Sequence, residues 1–340
     1  MNRTGPALFL IGVVTLMAAV ANARGQGQAD PAQAHVAAAK AAARTDYPGV
    51  DALCAAPKPD DRPLPAPGSV APRSPAGRTI PPQSGWYAEP AKVFDNLYFV
   101  GGKDVSAWAV TTSEGIVLID SLYDYSVEPL IVNGLKKLNL DPTTIKYVIV
   151  THGHGDHDLG AKFLQERYGA HIVLSEADWA YMRIEPFFPF PDLKPRKDVV
   201  ATDGEKLTLG DTTLNLYVTP GHTPGTLSIL IPLKEGNQRH VGAMWGGVGF
   251  NFPRTVANFQ TYNKSATRFR TIVEQARADV LLTNHANQDA TLQKIAALAA
   301  RKPGASNPFV VGTDGVTRFL TVVSECAAAQ SAWLTAARSR

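Results

Sequence analysis

Tyr147-Val148-Ile149-Val150-Thr151-His152-Gly153-His154-Gly155-Asp156-His157 is the stretch on which the reading of this chain turns. Its first four residues form the apolar run of a buried strand. The strand delivers an H-x-H-x-D-H cluster, His152, His154, Asp156 and His157. Two more histidines stand far along the chain: His222 in Thr219-Pro220-Gly221-His222-Thr223-Pro224-Gly225, and His285 after Val280-Leu281-Leu282-Thr283-Asn284. Imidazoles and one carboxylate, with no thiolate among them, suit zinc and related divalent ions. Such a ligand set is too large for one tetrahedral ion. It suits two ions that each keep an open position, and open positions point to hydrolysis rather than to a structural role.

The rest of the composition is that of an ordinary globular protein: 340 residues, 45% hydrophobic, 19% charged, net charge +3. No basic run and no interleaving of basic and aromatic residues suggests nucleic acid, so none is expected as a partner. Arg3 precedes an apolar stretch from Ala7 to Ala21, and Ala21-Asn22-Ala23 has the small-x-small form of a cleavage site. This reads as a secretory signal peptide over residues 1–23 and places the protein in the periplasm. The stretch is shorter than the roughly 20 residues a membrane span needs, so no stable membrane anchor is expected. The only cysteines are Cys54 and Cys326. In an oxidising compartment an even pair is most simply a disulfide, and two independent buried thiols are the alternative.

Residues 24 to about 45 are rich in Ala and Gln and suit a loose helix, with His35 solvated. Residues 56–85 are crowded with proline, which no packed element tolerates. They read as an extended arm along the body or as a linker, so 24–89 form an N-terminal arm and 90–340 the main domain. From Val93 onward short apolar runs alternate with turns. Strands are expected at 97–100, 107–111, 115–120, 146–151, 171–174, 206–209, 213–218, 227–231, 241–245 and 280–283. Helices are expected at 127–138, 159–168, 177–184, 259–276, 290–300 and 317–336, with Asp289 as an N-cap. Strands dominate each half and helices follow them, an α+β layering with sheets packed together and helices outside.

The segments His152-Gly153-His154-Gly155-Asp156-His157, Thr219-Pro220-Gly221-His222-Thr223-Pro224-Gly225 and Asn284-His285 resemble the metallo-β-lactamase superfamily. The resemblance covers about residue 90 to the C-terminus. It implies a four-layer αββα sandwich with the metals at one edge between the sheets. Lactonases and thioesterases of this type usually carry an Asp in the strand after the GHTPG turn, where it bridges both metals. Here that region reads Ala243-Met244-Trp245-Gly246-Gly247-Val248-Gly249-Phe250, with neither an acid nor a Cys. The pattern resembles the third subclass of class B β-lactamases. That subclass often has a Ser near Gly246 or Gly247, and here the pair is glycine.

The resemblance implies two zinc ions, one on His152, His154 and His222 and one on Asp156, His157 and His285, with Asp156 also a catalytic residue that orients the attacking water. Gly153 and Gly155 are expected to supply backbone angles that a β-carbon resists. His171 and His240 stand outside the site. The proline-broken segment from Tyr181 to Pro195, with Phe187, Phe188 and Phe190, and a second set, Trp245, Phe250 and Phe252, read either as ordinary core or as a hydrophobic rim. On the rim reading Phe188, Trp245 and Phe250 contact substrate. The function expected is hydrolysis of the β-lactam ring of penicillins, cephalosporins and carbapenems, by a monomer acting on a small-molecule substrate. The rivals are a lactone, ester or phosphoester hydrolase on the same metal pair, and a metal-binding protein without hydrolytic activity.

Overall fold

The structure, a computed structural model, describes residue 1 and residues 30–47, 49–58 and 63–338. Apart from Met1, the expected signal peptide lies outside the described residues. Everything below concerns the compact unit Pro31–Arg340.

Two sheets face each other. The first runs in sequence order through β1 (Ala91–Phe94), β2 (Leu97–Phe99), β3 (Trp108–Thr112), β4 (Gly115–Ile119), β5 (Ile145–Ile149), β6 (His171–Ser175) and β7 (Val199–Ala201). Its pairs are antiparallel up to β4 and parallel from β4 to β7. The second comprises β8 (Glu205–Leu209), β9 (Thr212–Val218), β10 (Leu227–Glu235), β11 (Gln238–Trp245) and β12 (Val280–Thr283), in the order β12-β11-β10-β9-β8. Only β11 and β12 are parallel there.

Side-chain alternation assigns each face. In β4, Val117 and Ile119 point into the core between the sheets, with Leu214, Leu216, Ile229 and Leu282 opposite. Ile116 and Leu118 point the other way, toward Leu130, Ile131, Leu135 and Leu164 of the covering helices. The outer face of the second sheet carries Leu230, Ala243, Trp245 and Leu281 under the helices Val256–Ala276 and Gly312–Arg338. Both faces of β4 are therefore buried, which is why it reads as an unbroken apolar run. The layers are helix, sheet, sheet, helix, the αββα sandwich that the resemblance implies.

Some expectations change, and two open alternatives, the cysteine pair and the Pro-rich segment, are decided. The helix Pro31–Ala43 is not loose: Ala39, Ala43 and Tyr47 enter the core of the terminal helix layer. His35 Nδ1 lies 2.6 Å from a Glu325 carboxylate oxygen rather than free in solvent. Cys54 and Cys326 form a disulfide with Cα atoms 4.6 Å apart, fastening this N-terminal region to the last helix. The Pro-rich segment is an arm along the body, with Gly68 N–H donating to the Ile184 carbonyl and Arg73 N–H to that of Pro189. Residues 127–132 are a π-helical turn before the α-helix Asn133–Lys137. The helix Thr291–Ala299 is entered through Ala290 at φ 59°, with no side-chain cap there; Asp289 instead accepts from the Thr291 N–H at 3.1 Å. β1 and β7 were not expected from the sequence.

Candidate metal centre

β4, β5, β9, β11 and β12 all end at one edge of the sandwich, and the residues just past those ends build the site. Strand ends are suited to this because the sheet is rigid while the following loop is free to aim its side chains. Leu227 N–H donates to Thr151 O at 2.7 Å and Ser106 N–H to Asn284 O at 2.9 Å, tying the two sheets together beside the site.

The six expected ligands come together as two triads. In the first, His222 Nε2 lies 3.0 Å from His152 Nε2 and 3.1 Å from His154 Nδ1. In the second, His157 Nε2 lies 3.3 Å from both His285 Nε2 and Asp156 Oδ2, and His285 Nε2 lies 3.5 Å from the same oxygen. Donors about 2.0–2.1 Å from a tetrahedral ion sit roughly 3.3 Å apart, so each triad has the span of one face of a tetrahedron. His152 also groups with Asp156 and His157, within 4.8 Å, so the two triads adjoin.

The second nitrogen of each imidazole decides whether the converging one is a lone pair. His152 Nδ1 faces the Gly246 carbonyl at 2.9 Å, His222 Nδ1 the Gly249 carbonyl at 2.6 Å, and His157 Nδ1 the Asp120 carboxylate at 2.9 Å. Carbonyls and carboxylates only accept, so a proton resides on each Nδ1; at His152 and His222 this leaves Nε2 as a lone pair aimed at the centre. His285 Nδ1 lies 3.5 Å from Asp104 in the same sense. His154 is reversed: its Nε2 meets the Tyr181 hydroxyl at 3.1 Å and its Nδ1 converges.

Electrostatics agree with a ligand set. Burial, helped by neighbouring imidazoles, drives His152 and His154 well below the usual imidazole range, and burial holds His222 at about 4. These rings are neutral at pH 7, as metal ligands must be. Burial also opposes charge at His157 and Asp156, yet their mutual attraction overrides it. With Asp120 adding to the pull, His157 is held up at about 10, and the Asp156 carboxyl falls well below the usual carboxylate range. Asp156 and Asp120 thus flank a His157 ring that they hold protonated, and a divalent cation bound at this triad would take the place of the proton on Nε2 and meet the same two carboxylates.

Sequence reasoning missed the residues that hold the ligands. Asp120, just past β4 and buried, adopts φ 64°, a left-handed conformation costly for a residue with a side chain. There its two oxygens accept from the Thr151 N–H at 2.7 Å and hydroxyl at 3.0 Å, besides facing His157. Asp178, pushed up to about 6 by burial, accepts from Gly153 N–H, Gly225 N–H and the Thr223 hydroxyl, at 2.9, 2.7 and 2.6 Å. It therefore ties the H-x-H-x-D-H loop to the GHTPG turn. An aspartate ending an apolar strand, Ile119-Asp120, was the signal available for the first. Asp178 offered none.

Other expectations need correction. Gly153 and Gly155 are not in the left-handed region; they supply space. A β-carbon on Gly155 would stand 2.4 Å from Phe188 Cβ, and one on Gly153 would stand 3.0 Å from Met182 Cβ. Trp245 and Phe250 do not reach the surface. Trp245 is 1% exposed and donates its indole N–H to the Tyr262 hydroxyl at 3.0 Å, and Phe250 packs on Phe252, Phe259 and Tyr262. The aromatic lip comes from the other segment. Phe187, 37% exposed, has its ring centre 5.6 Å from that of His154, and Phe188 lies against Gly155 and Tyr123. His171 and His240 pair with Asp198 and Asp279, away from the triads.

Residues 100–235 match the family model described as the metallo-beta-lactamase superfamily. A subclass B3 metallo-beta-lactamase of Bradyrhizobium japonicum superposes with a TM-score of 0.61 at 28% identity, over 74% of this chain and 97% of that one. A metallo-beta-lactamase of Cronobacter sakazakii gives 0.62 at 27% identity, over 75% and 97%. Among curated sequences, a hydroxyacylglutathione hydrolase of Acidiphilium cryptum is 34% identical over 86 residues, which is 25% of this chain and 30% of that protein. The match thus spans less than a third of that relative's length.

Proposed function

We propose that this chain, whose residues 100–235 match the metallo-beta-lactamase superfamily and whose structural neighbours include subclass B3 enzymes, is a di-zinc β-lactamase that opens the ring of penicillins, cephalosporins and carbapenems. The observation that carries this reading is the end of β11. The segment Ala243–Phe250, the region in which a lactonase or thioesterase of this fold usually carries its bridging acid, holds none, and the Gly246 carbonyl there faces His152 Nδ1 and accepts from the Asn284 side-chain amide at 2.6 Å. The ligands are then the two triads alone, without a bridging carboxylate.

His152, His154 and His222 would hold one ion and Asp156, His157 and His285 the other. When bound, zinc supplies Lewis-acid polarisation of a carbonyl and activation of water near neutral pH. The chain's own part is positioning. Asp120, Gly246 and Gly249 hold three imidazoles in the ligating tautomer, so little reorganisation is left for the reaction. Asp156, 17% exposed, is open enough to orient a water molecule beside the second triad. Phe187 and Phe188 shield one side of the site from solvent. We place the protein in the periplasm as a monomer; the disulfide and the sequence of residues 1–23 support export. No described helix is long and apolar enough to cross a membrane.

A second reading, thioester hydrolysis, is favoured by the hydroxyacylglutathione hydrolase relatives. The test is a screen of zinc-loaded protein against a chromogenic cephalosporin, a carbapenem, an acyl-homoserine lactone, a glutathione thioester and an aryl phosphodiester. Ring opening of the first two, abolished by a chelator and insensitive to serine-directed inhibitors, is expected. Turnover confined to the other substrates would remove the β-lactamase reading and leave the fold untouched.

A further inference from the structure

Beside the second triad lies a cavity of about 250 Å³ that the ligand set does not use. Its walls include Trp86 from the N-terminal arm, Val105, Leu122, Tyr123, Tyr125 and Leu130. The aromatic rings form a frame. Trp86 meets Tyr125 edge to face at 5.6 Å between ring centres, and Tyr125 stacks on Tyr123 at 5.0 Å. Tyr123 in turn contacts Phe188 of the lip at 5.5 Å.

The cavity and the triad share a wall. Asp104 lines the cavity and lies 3.5 Å from His285 Nδ1, and Val105 forms a backbone bridge with His285. A group occupying the cavity is thus within reach of a molecule whose scissile bond lies over Asp156 and His285. At about 250 Å³ the space is below the roughly 300–1,000 Å³ of a pocket that takes a whole drug-sized ligand, so it fits a substituent. Asp104 is the only charged side chain among its lining residues, and none is cationic. The lining therefore disfavours a carboxylate or phosphate and favours an uncharged ring that stacks against Tyr123, Tyr125 and Trp86.

We propose that this cavity is a specificity subsite that receives an uncharged aromatic substituent of the substrate. The proposal rests on the triads being a hydrolytic site, but not on which bond is cleaved there. It also gives the Pro-rich arm a part in recognition, because Trp86 is one of the walls.

The test uses zinc-loaded full-length protein and two substrate pairs. One pair is a penicillin nucleus acylated with phenylacetyl or with acetyl; the other is one thiol esterified with the same two acyl groups. Wild type should favour phenylacetyl over acetyl in kcat/KM by at least about 10-fold, in whichever pair it cleaves. Leu130→Phe, which fills the cavity, and Tyr125→Ala, which removes part of its aromatic wall, should each bring that ratio toward one while zinc content and melting temperature are retained. If one variant fails to fold, the other carries the comparison. A ratio near one in wild type, or one that neither variant moves, overturns the subsite and leaves the hydrolase reading intact. If neither pair is cleaved, the β-lactamase and thioesterase readings fail separately. Calorimetric titration with phenylacetamide then decides: binding by wild type that weakens in Leu130→Phe supports the cavity as an aromatic site, and no binding by wild type refutes it.

Discussion

Gly247→Ala places one methyl group against one metal ligand. A β-carbon at Gly247 would stand 2.4 Å from Cγ of His222, 2.5 Å from its Cβ and 2.6 Å from its Cδ2, where ordinary contacts begin at 3.4 Å. The ring must give way by about 1 Å, a displacement that by itself costs on the order of 100-fold in rate when it misplaces a reacting group. His222 has little room to yield without leaving the triad, since its Nε2 is fixed at 3.0 and 3.1 Å from its two neighbours and its Nδ1 at 2.6 Å from the Gly249 carbonyl. We expect about 10–100-fold weaker zinc binding at the first triad, a rate loss of about 100-fold, and about 1–3 kcal/mol of lost stability from overpacking. Zinc titration against a competing chelator, steady-state rates and a thermal melt measure the three. Gly49→Ala is the control, because the nearest atom to its β-carbon is the Gln288 side-chain oxygen at 3.5 Å. Wild-type zinc affinity and rate in Gly247→Ala would refute the reasoning. The same crowding accounts for the glycine pair: a β-carbon on Gly246 would lie 1.9 Å from the Leu227 carbonyl oxygen, so a serine at either position requires the site to move.

Asp120→Asn should weaken zinc at the second triad about 10–100-fold, because an amide does not reproduce the carboxylate that faces His157 and Thr151 together; an unchanged zinc titration would argue against that role. Lys194→Met removes the ammonium held 2.8 Å from Asp158 and 3.9 Å from Glu185, all three nearly inaccessible to solvent. Stranding those carboxylates should cost about 3–5 kcal/mol in a denaturant melt, and a loss under about 1 kcal/mol would contradict it. Glu185 also accepts from the Phe187 and Phe188 N–H groups at 2.9 and 2.7 Å, so the variant should raise KM through a looser lip. Replacing Cys54 and Cys326 together by serine should cost about 2–5 kcal/mol of stability and leave kcat unchanged, since the bridge lies in the helix layer behind the second sheet.

The six candidate ligands could be picked out because each follows an apolar run or sits in a Pro-Gly turn, and a cluster of histidines at strand ends has few other uses. The β8–β9 hairpin around Gly210-Asp211 was legible for a similar reason, a turn signal between two alternating runs. Trp245 was misplaced because an aromatic residue next to a site says nothing about which face it takes. The period of two along β11 held the answer: Met244 enters the core between the sheets, so Ala243 and Trp245 must face the helices. β1 and β7 escaped notice as runs of four and three residues, too short for a pattern to form. Asp178, on the short helix after β6, joins two loops far apart in sequence, and nothing local marks it.

The central claim is that the six residues form two adjoining metal sites, and zinc stoichiometry tests it most directly. Purified wild-type protein, equilibrated with zinc and freed of excess, should hold two equivalents per chain. His154→Ala and His285→Ala should each lose one while remaining folded. One equivalent in wild type, or two in either variant, would contradict the account.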